Sequence, residues 1–99
     1  MNKADDDFNE HIRVIMGDLN FRKKTQSGII KILLDTNETI SGLMTNLVNL
    51  ETSKSGKLNF RLHLKTIEST PYEIDLDRIK QILDVSIDEI EAFRKSAII

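Results

Sequence analysis

Hydrophobic positions along this chain change their period several times, and each change marks a new element. Phe8, Ile12, Ile15, Met16 and Leu19 recur at steps of three and four, which sets them on one face of a helix over 5 to 19. Asp5, Asp6 and Asp7 crowd its first turn, where carboxylates meet free backbone amides and the positive end of the helix dipole. Gly17 weakens the last turn, so 20 to 28, with Arg22, Lys23 and Lys24 followed by Ser27-Gly28, reads as a connection. Ile29, Ile30, Ile32, Leu33 and Leu34 then form an apolar, largely β-branched run suited to a buried strand, and Asp35-Thr36-Asn37-Glu38 supplies a turn.

From 39 to 52 two periods compete. Ile40, Leu43, Met44, Leu47 and Val48 fit helical spacing, yet Thr39, Ser41, Gly42, Thr45, Asn46 and Asn49 between them are poor helix formers. A strand bent or bulged at Gly42 is the preferred reading; a helix over 37 to 51 is the alternative and leaves only two strands. After a turn at 52 to 56 comes the clearest strand, in which Leu58, Phe60, Leu62 and Leu64 alternate with Lys57, Asn59, Arg61, His63 and Lys65. Glu68-Ser69-Thr70-Pro71 closes it, and Tyr72-Glu73-Ile74 adds a short strand.

Beyond Asp75 the spacing of Leu76, Ile79, Ile82 and Leu83 predicts a helix with Asp75 as its cap. A second helix starts at Ser86, where Ser86 and Glu89 stand in capping-box spacing and Val85 and Ile90 in that of a hydrophobic staple. Ile87, Ile90 and Phe93 give it a buried side, and Ala97-Ile98-Ile99 extend that side or meet a partner. The expected architecture is thus α+β: an N-terminal helix, a small antiparallel sheet of three or four strands able to curl into a partial barrel, and a C-terminal helical pair. At 99 residues it is one domain, 1 to 99.

Composition narrows the function. No residue is a cysteine, which excludes disulfides and thiolate metal sites and agrees with a cytoplasmic setting. No apolar stretch reaches the ~20 residues of a membrane span, so no membrane partner is expected. The net charge of −2 gives no global pull on nucleic acid, and such a partner would need a local basic patch. Phosphate-loop, dinucleotide, zinc-protease and nucleophile-elbow motifs are absent, and His11 and His63 are the only histidines. No catalytic residue, metal or cofactor is expected.

The best contact surface in the sequence is the wet side of the clearest strand, Lys57, Arg61, His63 and Lys65, together with Arg22, Lys23 and Lys24. Strand cations repeating at ~7 Å approximate the spacing of successive phosphates. The bland alternative is a solvated face, or one paired with acidic residues of a neighbouring strand.

Three resemblances bear on this. Residues 76 to 95, through Leu83, Val85, Ser86 and Ile90, resemble the helix-turn-helix pattern, with Asp84 in place of the usual turn glycine. Its second helix opens with Asp88, Glu89 and Glu91, so the resemblance implies contact with protein rather than DNA. Residues 29 to 83, with Ile40-Ser41-Gly42 opening a bent strand and Tyr72-Glu73-Ile74 leading into Arg78-Ile79, resemble an Sm-like small β-barrel preceded by a helix. That resemblance implies rings that bind RNA, although Asn37-Glu38 replaces the glycine of the first turn. Arg22 and the segment 51 to 56 are similar in spacing to the cyclic-dinucleotide-binding PilZ domains, whose second arginine is replaced here by Gln26.

The functional expectation is a small non-catalytic binding or regulatory module acting on another protein as an inhibitor or adaptor, with self-association through a sheet edge or the Ile98-Ile99 tail. A nucleic-acid-binding regulator using the two basic segments is the alternative. Capture of a small anionic ligand such as a nucleotide is the third.

Overall fold

The computed structural model describes residues 3–50 and 56–96. The chain runs α1 (Lys3–Thr25), β1 (Ile29–Leu34), β2 (Thr39–Asn49), β3 (Phe60–Lys65), β4 (Pro71–Asp75), a 3-10 turn (Leu76–Arg78), β5 (Ile79–Leu83) and α2 (Ile87–Lys95). All strand pairs are antiparallel, in one open sheet of order β4-β3-β2-β1-β5. The α+β class, the N-terminal helix, the bent strand over 39 to 49 and the strand at Pro71–Asp75 agree with expectation; the sheet has one strand more than the three or four expected.

The fifth strand is the main correction. Residues 76 to 83, expected as a helix, form the 3-10 turn and β5, so the C-terminal helical pair is reduced to α2. Helical spacing misleads here because of a bulge. Leu33 pairs with Gln81 but Leu34 with Ile79, so Lys80 is an extra residue in β5. One inserted residue lets Ile79 and Ile82, three apart, face the same side, and both are buried. The same device operates in β2. Met44 pairs with Leu64 and Asn46 with His63, leaving Thr45 extra, so Met44 and Leu47 both reach the core.

These bulges let the sheet bend. The row Val48, Arg61, Asp75 lies at one end of β2, whereas Thr39 pairs with Leu33 at the other, one residue from the Leu34–Ile79 pair. In a straight strand Thr39 and Val48 would be roughly 30 Å apart. Asp75 and Ile79 are joined by only three residues of 3-10 turn, which rise about 2 Å each. The sheet therefore has to curl. Gly42 marks the tight point, since a Cβ there would stand 3.0 Å from Leu64 Cβ and 3.1 Å from the Lys65 carbonyl oxygen.

Inside the curve α1 lays Ile12, Ile15 and Leu19 against Ile30, Ile32, Leu62, Leu64, Ile79 and Ile82. The helix extends past Gly17 to Thr25, correcting the expected connection over 20 to 28. Arg22 holds the added turns through its bonds to Asp18, Gln26 and Asp84, which outweigh the small helix cost of an exposed glycine. The end is closed by Ser27 in the left-handed region (φ 56°) and by the Gly28 amide donating to the Lys23 carbonyl at 3.0 Å. Hairpins β1-β2 and β3-β4 use one recipe. The Leu34 amide donates to the Glu38 carbonyl and the Thr66 amide to that of Thr70, around three-residue loops whose last member, Asn37 (φ 69°) or Ser69 (φ 67°), is left-handed. Asparagine tolerates that conformation, so Asn37 serves where the Sm-like pattern has glycine.

The opposite face of β1 carries α2. Lys31 alternates with the core residues Ile30 and Ile32, and its ammonium donates to Glu89 Oε1 at 3.0 Å. Phe93 is buried on that side. The capping box is complete, with the Glu89 amide donating to Ser86 Oγ at 3.2 Å and the Ser86 amide to Glu89 Oε2 at 2.9 Å. No helix precedes it, so the helix-turn-helix expectation for 76 to 95 is overturned: its first half is the bulged edge strand β5. The Ser86 backbone bond, then Lys31, hold the Glu89 carboxyl below the usual carboxylate range. A depressed folded-state value means stability that is present at neutral pH and is lost as pH falls through that value. Ser86→Ala should cost about 1 kcal/mol in urea unfolding. Lys31→Ala, which removes a side-chain donor to Glu89, should flatten the acid limb of stability against pH; an unchanged acid limb would show that Lys31 does not hold Glu89.

Candidate interaction surfaces

The strand phase proposed for β3 is observed. Leu62 and Leu64 are buried, Leu58 and Phe60 pack at the rim of the core, and Arg61, His63 and Lys65 occupy the outer side. Hairpin register then sets carboxylates opposite the cations. Arg61 is level with Asp75, His63 with Glu73 and Lys65 with Pro71. The Arg61 Nε donates to Asp75 Oδ1 at 2.8 Å, and this bond with the Asp75 charge raises the Arg61 pKa. His63 Nδ1 lies 3.8 Å from Glu73 Oε1, a pair that is ionic once the imidazole is protonated. Glu73 and Asp75 alternate with Tyr72 and Ile74 just beyond a turn, but only the hairpin register assigns them to His63 and Arg61.

Lys57 departs from the row, and its ammonium sits 5.2 Å from the centre of the Phe8 ring on α1. Lys65 is exposed, with no ion pair among the described residues. Arg22 is taken up at the other end of the sheet. Its guanidinium donates to Asp18 Oδ1 at 3.2 Å, to Gln26 Oε1 at 3.2 Å and to Asp84. Partial burial lowers the Arg22 pKa, but the bonds and charges of Asp84 and Asp18 prevail and raise it. Lys23 and Lys24 are exposed in the last turn of α1. Since Asp84 follows the edge strand β5 while β3 is separated from β5 by β2 and β1, the seven cations form separate groups rather than one patch.

Other polar groups have structural duties. His11 Nε2 donates to the Ile79 carbonyl at 2.9 Å and ties α1 to the start of β5. Asn9, which sequence reasoning passed over, is 2% exposed. Its Nδ2 donates to the Gly56 carbonyl at 3.0 Å and its Oδ1 accepts from the Leu58 amide at 2.8 Å, clamping the entry to β3 onto α1. A lone asparagine in a polar stretch of helix gives no sequence signal for this. A hollow of about 330 Å³ beside the clamp is lined by Phe8, Lys57, Leu58, Asn59, Asp75 and Asp77. Two carboxylates there oppose an anionic guest. Among the described residues no three His, Cys, Asp or Glu side chains cluster as a metal site, and no helix is long and apolar enough to cross a membrane. The turn at 52 to 55, most of the segment compared with PilZ domains, and the Ile98-Ile99 tail lie outside the described residues.

An N-terminal helix, a strongly bent antiparallel sheet whose fourth and fifth strands are joined by one 3-10 turn at opposite edges, and a short C-terminal helix agree with the expected Sm-like arrangement. A search of solved structures bears this out. The crystal structure of XC5848 from Xanthomonas campestris, described as a novel variant of the Sm-like motif, matches with a TM-score of 0.53 over 87% of this chain and 90% of that one. Identity is 17%, so the likeness is one of fold. No protein-family model and no curated protein matches the chain.

Proposed function

We propose that this chain is a small non-catalytic adaptor or regulatory module, cytoplasmic in setting, that binds another protein through the open edges of its sheet. The observation that carries this reading is the occupation of three of the seven candidate cations: Arg61 by Asp75, His63 opposite Glu73, and Arg22 by Asp18 and Asp84. A phosphate backbone would have to displace a carboxylate at each, while the net charge of −2 provides no compensating attraction. The RNA-binding half of the Sm-like resemblance and the anionic-ligand reading both lose support on this ground.

The edges support the other half. β4 and β5 each pair on one side only. The Thr66-Thr70 bond sets the ladder, so Tyr72 and Ile74 exchange bonds with β3 while Glu73 turns its amide to the open edge, where an added strand would bond. Pro71, which lacks an amide, occupies an outward position of the same edge and limits how far a partner can extend.

Anisotropy of a labelled single-stranded RNA should show no binding at low salt. Tight binding that falls steeply with salt would establish the nucleic-acid reading instead. In native mass spectrometry of affinity-isolated material, a stoichiometric protein partner or self-assembly should be lost in Glu73→Pro, which removes the outward amide and the carboxylate opposite His63, and kept in Glu73→Ala, which removes the carboxylate alone. A partner retained by Glu73→Pro would exclude the β4 edge.

A further inference from the structure

On the side of α1 away from the sheet, Val14 is 58% and Phe21 62% exposed, seven residues apart on one face. Gly17 lies between them, and a Cβ built there meets nothing within 4 Å. Apolar groups flanking a bare stretch of backbone are what a close helix crossing uses. The charges on this face differ along the axis. Asp6 and Glu10 are exposed in the N-terminal half beside a single cation, Arg13, and Lys24 is exposed in the C-terminal half.

We propose that two copies of this chain associate by crossing their α1 helices antiparallel at Gly17. This deepens the protein-binding reading by naming one partner and a surface distinct from the sheet edges. Charge division selects both the partner and the direction. Crossed antiparallel over Gly17, Glu10 of one copy is level with Lys24 of the other, and Arg13 with Phe21, whose ring accepts the guanidinium on its face. A parallel pair would set acidic half on acidic half and basic on basic. Glu10 is at present only loosely held by Arg13, at 3.7 Å, and Lys24 has no ion pair among the described residues, so neither gives up a strong bond. The helix is 23 residues, roughly 35 Å long, so the contact falls at the small end of interfaces, and the dimer is reversible and weakened by salt.

The absence of native cysteine makes disulfide trapping a direct test. Under mild oxidation Gly17→Cys should form covalent dimer about tenfold faster than Glu10→Cys or Lys24→Cys alone, because only the crossing point brings two equivalent positions within disulfide reach. A mixture of Glu10→Cys and Lys24→Cys should cross-link with each other faster than either does with itself. Sedimentation equilibrium should show a concentration-dependent dimer of the parent chain, weakened at least about fivefold by Phe21→Asp, with circular dichroism unchanged. A chain monomeric at all concentrations, equal trapping at the three positions, or faster self-linking of Glu10→Cys would overturn the proposal. In those cases an assembly sensitive to Glu73→Pro would still stand, and loss of that assembly alone would leave the helix pair.

Discussion

Leu62→Ala should lower the unfolding free energy by roughly 2–5 kcal/mol, read as a shift of the urea midpoint at constant slope. Leu62 is 0% exposed and pairs with Leu47 on β2 and with Ile74 on β4. It is held on both flanks and from below, so little can collapse into the space left by its isobutyl group. Arg61 next to it makes the contrast. Its bond to Asp75 joins two side chains each more than a third exposed, where competition from water leaves little net stabilisation. A loss below half a kcal/mol for Leu62→Ala would mean that the β3 phase is inverted.

Asn9→Ala is expected to cost about 2–4 kcal/mol, an effect out of proportion to its place in a charged helical turn. The substitution removes both bonds of the clamp and leaves the Leu58 amide and the Gly56 carbonyl without the side chain they face. The signature is local. Amide exchange at Leu58 should accelerate more than at Leu64, and Asn9→Asp should retain the acceptor for Leu58 while losing the donor to Gly56. Equal acceleration throughout β3 would instead show a general loss of stability, with no special role for the clamp.

Legibility of the fold in the sequence followed the clarity of period. The alternation of Leu58, Phe60, Leu62 and Leu64 and the box of Ser86 with Glu89 depend on neighbours a few residues away, and both appear where the sequence puts them. The missed fifth strand has a definite cause. A bulge adds one residue to a period of two, and the resulting spacing of three is what a helix displays; Ile79 with Ile82, and Met44 with Leu47, both carry this disguise. Only pairing with β1 or β3 distinguishes the cases, and pairing is non-local. The same holds for the candidate surface. The cations of β3 were visible, but their neutralisation depends on the loop of Ile67, Glu68 and Ser69 bringing Glu73 and Asp75 alongside. Asn9 was invisible because its partners are backbone atoms of a segment half the chain away.

The placement of β5 also dictates an order of assembly. The β1-β2 and β3-β4 hairpins close through three-residue loops and need only local search, on the order of microseconds for an isolated hairpin. The Ile32–Ile82 pair closes a segment of about fifty residues, so by its loop entropy this closure is expected to be the slow step. Until it occurs β1 presents a bare apolar margin, and the nascent chain is most vulnerable to misassociation in the interval before its last strand docks.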